Sequence, residues 1–359
     1  MSQKRINSLL QDKRFKGDHY NDLERVDWRC STGSLQLDLF LDGGIRPGIF
    51  RLSGEPESGK TSFALNLAKI FQETVPNGFV FYINAEGRLT PELVDRSGID
   101  QSEDKWCCFD SNILETSMGM IKELITENGK GEDKEAYRYL FVIDSTDALI
   151  KKADLGKKFD EGQKVAGSAV VFSHVGKATT LPLTKNGHAL MVLSQTRYKM
   201  NMGSMAPSGG TTQSGGKALN FYSSLIAEIK PLWTNLFIWE NPSGASIDAK
   251  GKRIGHYCSL RFTKTRNEKT GQIVDVPIKY GEMGGSIWTE YELINLCLQF
   301  EFIKKKAAGW FEFDKELVKE IGCTDSFKPK HQGINNLITY LEDHPEVTEF
   351  LMDKFKKLL

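Results

Sequence analysis

The sequence predicts an α/β fold with a mostly parallel central sheet covered by helices on both faces, and three observations carry that expectation. Residues 54–61 read Gly-Glu-Pro-Glu-Ser-Gly-Lys-Thr, a complete phosphate-binding loop of the form GxxxxGK[ST]. Several short runs are apolar on both faces, as strands lying between two helix layers must be. The segments between those runs repeat their apolar residues at helical spacing.

In chain order, residues 1–30 are polar and mixed in charge, with one short amphipathic stretch at Ile6, Leu9 and Leu10, and read as an oligomerisation arm apart from the core. The core is expected over 31–270. Its first strand is the apolar run 49–52, which leads into the phosphate loop, and 62–70 leaves the loop as a helix. Further strands are expected at 78–83, 139–143, 188–193, 224–229 and 257–262, and further helices at 91–96, 115–125 and 166–180. Two segments have no clear periodicity. Residues 151–164 hold five lysines, and 197–217 hold five glycines, three methionines and no acid. A stretch of that length without structure of its own inside a compact domain is usually functional or disordered. Beyond Gly281 the pattern turns helical, at 289–306, 314–321, 333–341 and 346–358, with Pro345 as a start signal. Residues 271–359 therefore read as a small helical C-terminal domain.

Composition narrows the class. With 40% hydrophobic and 26% charged residues in 359, the chain can bury one large core and a satellite. No run is long and apolar enough for a membrane span and the N-terminus lacks a secretory stretch, so the cytoplasm is the expected location. Formal net charge is zero, so a nucleic-acid partner must be held by local patches. The six cysteines are scattered without CxxC or histidines at ligand spacing, which points to reduced thiols and no zinc site.

The loop fixes the chemistry. A strand, a glycine turn and a helix aim backbone N–H groups and the positive helix end at one point, which suits a polyphosphate. Gly54, Glu55, Pro56, Glu57, Ser58, Gly59 and Ser62 form the cradle, Lys60 reaches the terminal phosphates, and the Thr61 hydroxyl ligates Mg²⁺. Residues 140–144 are an apolar strand ending in Asp144, the Walker B arrangement, which places a second magnesium-holding group. Glu86 follows another strand tip. There it can orient and deprotonate an attacking water, or serve only as a surface acid near a helix start. Gln195 follows a third tip and either donates to the γ-phosphate or merely closes the strand. In 197–217, Arg197, Lys199 and Lys217 offer charge to a nucleic-acid backbone, Gly215 and Gly216 offer amides, and Met200 or Met202 can wedge between bases; a surface loop without a partner is the competing reading.

These residues resemble the RecA recombinase family, bacterial RecA and its phage relatives of the UvsX type. The matching segments run in order: 31–38 and 43–48, then GEPESGKT, INAEGRLTP, VIDSTDAL, SQTRYKM, SGGKALNFYSS, and near the end GWFEF and LEDHPEVTEFL. The resemblance implies a RecA-type P-loop ATPase core with DNA-binding loops near 151–164 and 197–217. It assigns Lys60, Thr61 and Asp144 to ATP and Mg²⁺, Glu86 to water activation and Gln195 to γ-phosphate sensing. Phe221 matches the position that couples ATP to DNA binding across a subunit interface, although an isolated phenylalanine reads equally well as core. Lys264 and Arg266 match lysines that reach a neighbouring subunit's ATP; an edge-strand charge pair is the alternative. The family's adenine-stacking aromatic falls at Leu93 and its adenine-binding acid at Thr90. An acidic tail is absent, and the chain closes on Lys354-Phe355-Lys356-Lys357-Leu358-Leu359.

The implied activity is homologous pairing and strand exchange by a filament of this chain on single-stranded DNA, with DNA-dependent ATP hydrolysis. The implied partners are that strand, a homologous duplex, further copies of the chain, and single-strand-binding and loader proteins, in a bacterial cell or a phage-infected host. A hexameric ring ATPase or helicase of the same fold, and an ATP-binding paralogue that modulates a recombinase filament, remain as alternatives.

Overall fold

The computed structural model describes residues 8, 12, 27–128, 136–156, 166–198, 211–213, 216–232, 237–242, 244–281, 286–321 and 327–358. From the N-terminus, α1 (Leu35–Phe40) precedes β1 (Gly48–Gly54), α2 (Lys60–Thr74), β2 (Gly78–Asn84), α3 (Pro91–Ser97), β3 (Trp106–Phe109), α4 (Leu114–Glu127) and β4 (Arg138–Asp144). Then come α5 (Ala166–Asn186), β5 (Ala189–Tyr198), β6 (Thr211–Gln213), α6 (Gly216–Tyr222), β7 (Leu225–Pro231), β8 (Phe237–Trp239), α7 (Ile247–Lys250), β9 (Arg253–Lys264) and β10 (Ile273–Lys279). The C-terminal part holds α8 (Thr289–Gln299), β11 (Ile303–Lys305), β12 (Trp310–Phe313), α9 (Lys315–Ile321), β13 (Lys330–Gln332), α10 (Ile334–Asp343) and α11 (Pro345–Lys356).

The large sheet runs in the order β10-β9-β7-β1-β5-β4-β2-β3. From β7 to β3 every pairing is parallel, and β9 and β10 close the other side antiparallel. The expected parallel α/β core is therefore present, with β1 near its middle. Strand β1 is buried along its whole length because helices cover both faces, and the cores lie on either side of it. Phe50, Leu52, Phe63, Leu67 and Tyr82 belong to one, and Ile49, Phe81, Phe141 and Leu190 to the other.

Several expectations need correction. Trp28 and Cys30, assigned to the arm by the polarity of their neighbours, are buried in the core; Trp28 Nε1 donates to the Gly187 carbonyl at 2.8 Å, and Cys30 bridges Ile45. The large sheet continues past residue 270, since Ile273–Lys279 pairs with β9. The helix expected over 289–306 stops at Gln299, because Ile303–Lys305 pairs with β12, and cross-strand pairing there outweighs the continuing apolar spacing. Three short strands thus run among the C-terminal helices. Residues 211–213, read as unstructured, pair with the end of β5, and 216–222 is helical. Strands β3 and β8 are too short for a periodicity to mark them. Among the described residues, no helix is long and apolar enough to cross a membrane, and no group of three histidines, cysteines or acids converges as a metal site would need.

Candidate nucleotide site

The parallel register sets the site. It places Gly54 of β1 beside Gln195 of β5, and Asp144 of β4 beside Asn84 of β2, so that the carboxyl-end tips of these strands share one edge. Open α/β sheets bind ligands at that edge. Gly54 must be glycine, since a Cβ there would lie 2.5 Å from Ser58 Oγ and 2.6 Å from the Ile229 carbonyl. Gly59 has φ +90°, a left-handed turn that starts α2 at Lys60 and aims its first amides into the loop.

The loop, Glu86, Asp144 and Gln195 line one cavity of about 280 Å³. Lys60 Nζ donates to the carbonyls of Gly54 at 3.1 Å and Glu55 at 2.6 Å. Burial lowers its pKa, while Asp144, Glu86 and Asp147 pull the other way. Thr61 Oγ1 and the Tyr82 hydroxyl both donate to Asp144 Oδ2, each at 2.7 Å. Burial pushes the Asp144 carboxyl up, and these two donors oppose the shift. Hydroxyl and carboxylate oxygens are the ligands Mg²⁺ takes. With a glycine cradle above them, Thr61 and Asp144 fit a magnesium-bound polyphosphate.

Across the cavity, Glu86 Oε1 accepts from Ser145 Oγ and, at 3.4 Å, from Gln195 Nε2. Arg88, largely exposed, lies 3.4 Å from the other Glu86 oxygen. The backbone amide of Gln195, inside β5 rather than past its end, donates to Asp147 Oδ2 at 2.7 Å, which fixes the stretch of strand that carries its side chain. Leu89 and Leu93 also line the cavity. Thr90 is engaged elsewhere, because its Oγ1 accepts from the Leu93 amide at 3.3 Å as the N-cap of α3.

Other expected residues lie away from this cavity. Lys264 Nζ donates to the carbonyls of Asn220 at 3.1 Å and Phe221 at 2.9 Å, at the end of α6. Arg266 donates to the Pro47 carbonyl at 2.6 Å, at the opposite end of β1 from the phosphate loop. Neither touches this chain's own loop. Phe221 is 75% exposed, which excludes the core reading within one subunit. For the DNA segment, the backbone of Arg197 lies in β5, which ends at Tyr198, while Gly216 and Lys217 open α6. Lys199, Met200, Met202 and Gly215 lie outside the described residues, as do 157–164 of the lysine-rich stretch.

Residues 17–282 match the family described as RecA N-terminal domain. The chain belongs to the RecA family. It is 28% identical to Protein RecA of Rickettsia prowazekii over 89% of this chain and 81% of that protein. To Protein RecA of Rickettsia canadensis it is 27% identical over 94% of this chain and 86% of the relative. To Protein RecA of Petrotoga mobilis the figures are 25%, 91% and 78%. RecA membership agrees with the mostly parallel central sheet flanked by helices. Sequence reasoning missed Arg51, Tyr82, Ser145 and Asp147, whose partners lie on or just past other elements of the fold. Only the parallel register reveals them.

Proposed function

We propose that the chain is an ATP-dependent recombinase that assembles on single-stranded DNA and pairs it with a homologous duplex. Membership of the RecA family supports recombinase function in general terms and, with it, use of ATP and Mg²⁺. The observation that carries the finer reading is the meeting of Thr61, Asp144, Glu86 and Gln195 around one cavity at the end of the phosphate loop.

Mg²⁺, when bound, would neutralise charge on the transferring phosphoryl group. Lys60 leaves its loop carbonyls for the phosphate oxygens. Thr61 and Asp144 hold the metal and its waters. Glu86 takes the proton of the attacking water, and Ser145 and Gln195 orient its carboxylate. The Gln195 amide donates to the γ-phosphate until hydrolysis removes it. Because β5 runs straight from Gln195 towards 199–217, that loss reaches the DNA segment, an ordering switch of the kind nucleotide proteins use. Lys264 and Arg266 act on a neighbouring copy's nucleotide, which agrees with their distance from this chain's own loop and with the exposure of Phe221 at the same face.

The test is to mix the protein with ATP, Mg²⁺, single-stranded DNA and homologous duplex. Joint molecules and DNA-stimulated hydrolysis are expected; absence of both would end this reading. Electron microscopy with single-stranded DNA and a non-hydrolysable analogue should show open helical filaments, whereas closed six-membered rings would favour a ring motor.

A further inference from the structure

Tyr82 is fully buried on β2 with its ring 5.6 Å from that of Trp106, and its hydroxyl ends at Asp144 Oδ2. Packing alone does not call for that hydroxyl. A phenylalanine would fill the same space, and burying a phenol against a carboxylate desolvates both groups. The contact has a geometric result. Thr61 donates to the same oxygen, so two hydroxyls from different elements, α2 and β2, pin Oδ2. Among the described residues no hydrogen bond reaches Oδ1. The carboxylate is thus held from one side with its second oxygen left for a ligand.

The two donors are not equivalent. Thr61 lines the cavity and can turn a lone pair to a cation while its proton stays on Asp144. Tyr82 has no exposed surface and cannot meet the cation itself. We propose that Tyr82 is a positioning residue for the magnesium site, fixing the rotation of the Asp144 carboxylate so that Oδ1 stays open to serve the metal. This rests on the nucleotide reading above and adds to it a residue that touches neither nucleotide nor metal. Groups that orient a metal ligand from behind typically account for about 10–100-fold in metal affinity.

The experiment compares the full-length protein with Tyr82→Phe, titrating Mg²⁺ at fixed ADP and following ADP binding by fluorescence. The Mg²⁺ midpoint is expected to rise by about 10-fold. ADP affinity in chelator and the melting temperature without ligand should stay near the parent's. A midpoint within about twofold of the parent's, in a variant that folds and binds ADP, overturns the proposal, as does a fall in melting temperature with no change in midpoint. If the parent binds no ADP, the nucleotide reading falls together with this one, so the two failures are distinguishable. Should Tyr82→Phe not fold, the parent decides: saturating Mg²⁺ added to the ADP complex must shift the tyrosine ultraviolet difference spectrum, and no shift overturns the assignment.

Discussion

Arg51 Nη1 lies 2.5 Å from Asn220 Oδ1, while its Nε donates to Ser194 Oγ at 3.2 Å. A guanidinium wholly screened from solvent therefore ties the strand entering the phosphate loop to β5, next to Gln195, and to α6, next to Phe221. Truncating Arg51 empties a large, fully buried site and leaves Ser194, Asn220 and the charge of Asp147 without it, at about 3–5 kcal/mol, whereas truncating Asn220 removes one neutral acceptor, at about 1–3 kcal/mol. Urea denaturation should place Arg51→Ala in the first range and Asn220→Ala in the second. Equal, small losses for both would show that the guanidinium is not the centre of the network.

Lys60 and Glu86 line the same cavity but should fail differently. Lys60→Ala removes charge-assisted bonds to phosphate, each about 1.5–3 kcal/mol, so ATP affinity should fall by about 10–100-fold while circular dichroism stays unchanged. Glu86→Gln keeps the shape but cannot accept a proton. Single-turnover hydrolysis should slow by about 10²–10⁴-fold with ATP affinity nearly intact.

Glu292 joins the C-terminal part to α1. It accepts from the Leu35 amide at 2.7 Å and from Ser34 Oγ, yet burial pushes its pKa up from 4.5 to about 7, and the charge of Asp38 adds to the rise. A carboxyl with a higher pKa folded than unfolded holds its proton more tightly in the native state. Its contribution is therefore full below pH 4.5 and is lost as pH climbs to about 7. In Glu292→Gln that part of the pH profile should flatten. The difference between parent and variant stabilities over this window should change by an amount on the order of 3 kcal/mol.

Phe221 is exposed in the single chain, so Phe221→Ala should alter monomer stability by no more than about 0.5 kcal/mol. Its effect should appear in assembly. Light scattering with ATP and single-stranded DNA should show shortened or absent filaments, and normal filaments would remove Phe221 from the subunit interface.

Much of this was legible in the sequence, because each clear element announces itself locally. The phosphate loop is contiguous, β2, β4 and β5 hold apolar runs, Asp144 ends β4 and Glu86 lies two residues past β2, so one edge of the sheet was readable; Gln195, expected just past a strand over 188–193, lies within β5, which runs on to Tyr198. Contacts between strands were not legible. Tyr82 meets Asp144 only because β2 lies beside β4, and Arg51 looks misplaced in an apolar strand until Ser194 and Asn220 come to it. Short β3, β8 and β11 carry too few residues to show a period, and their neighbours make them strands. Trp28 was hidden by polar surroundings in the chain, although its ring packs edge-on against Phe71 in the core.

Leu89 and Leu93 line the same cavity as the phosphate loop and offer it only branched alkyl groups, while Thr90 Oγ1 accepts from the Leu93 amide as a helix cap. Aliphatic walls sort by size and cannot spell the difference between an amino and a keto purine. A base resting against these two leucines would meet no group that tells the purines apart, so guanine and hypoxanthine triphosphates should displace a bound adenine nucleotide almost as well as ATP does in a competition titration.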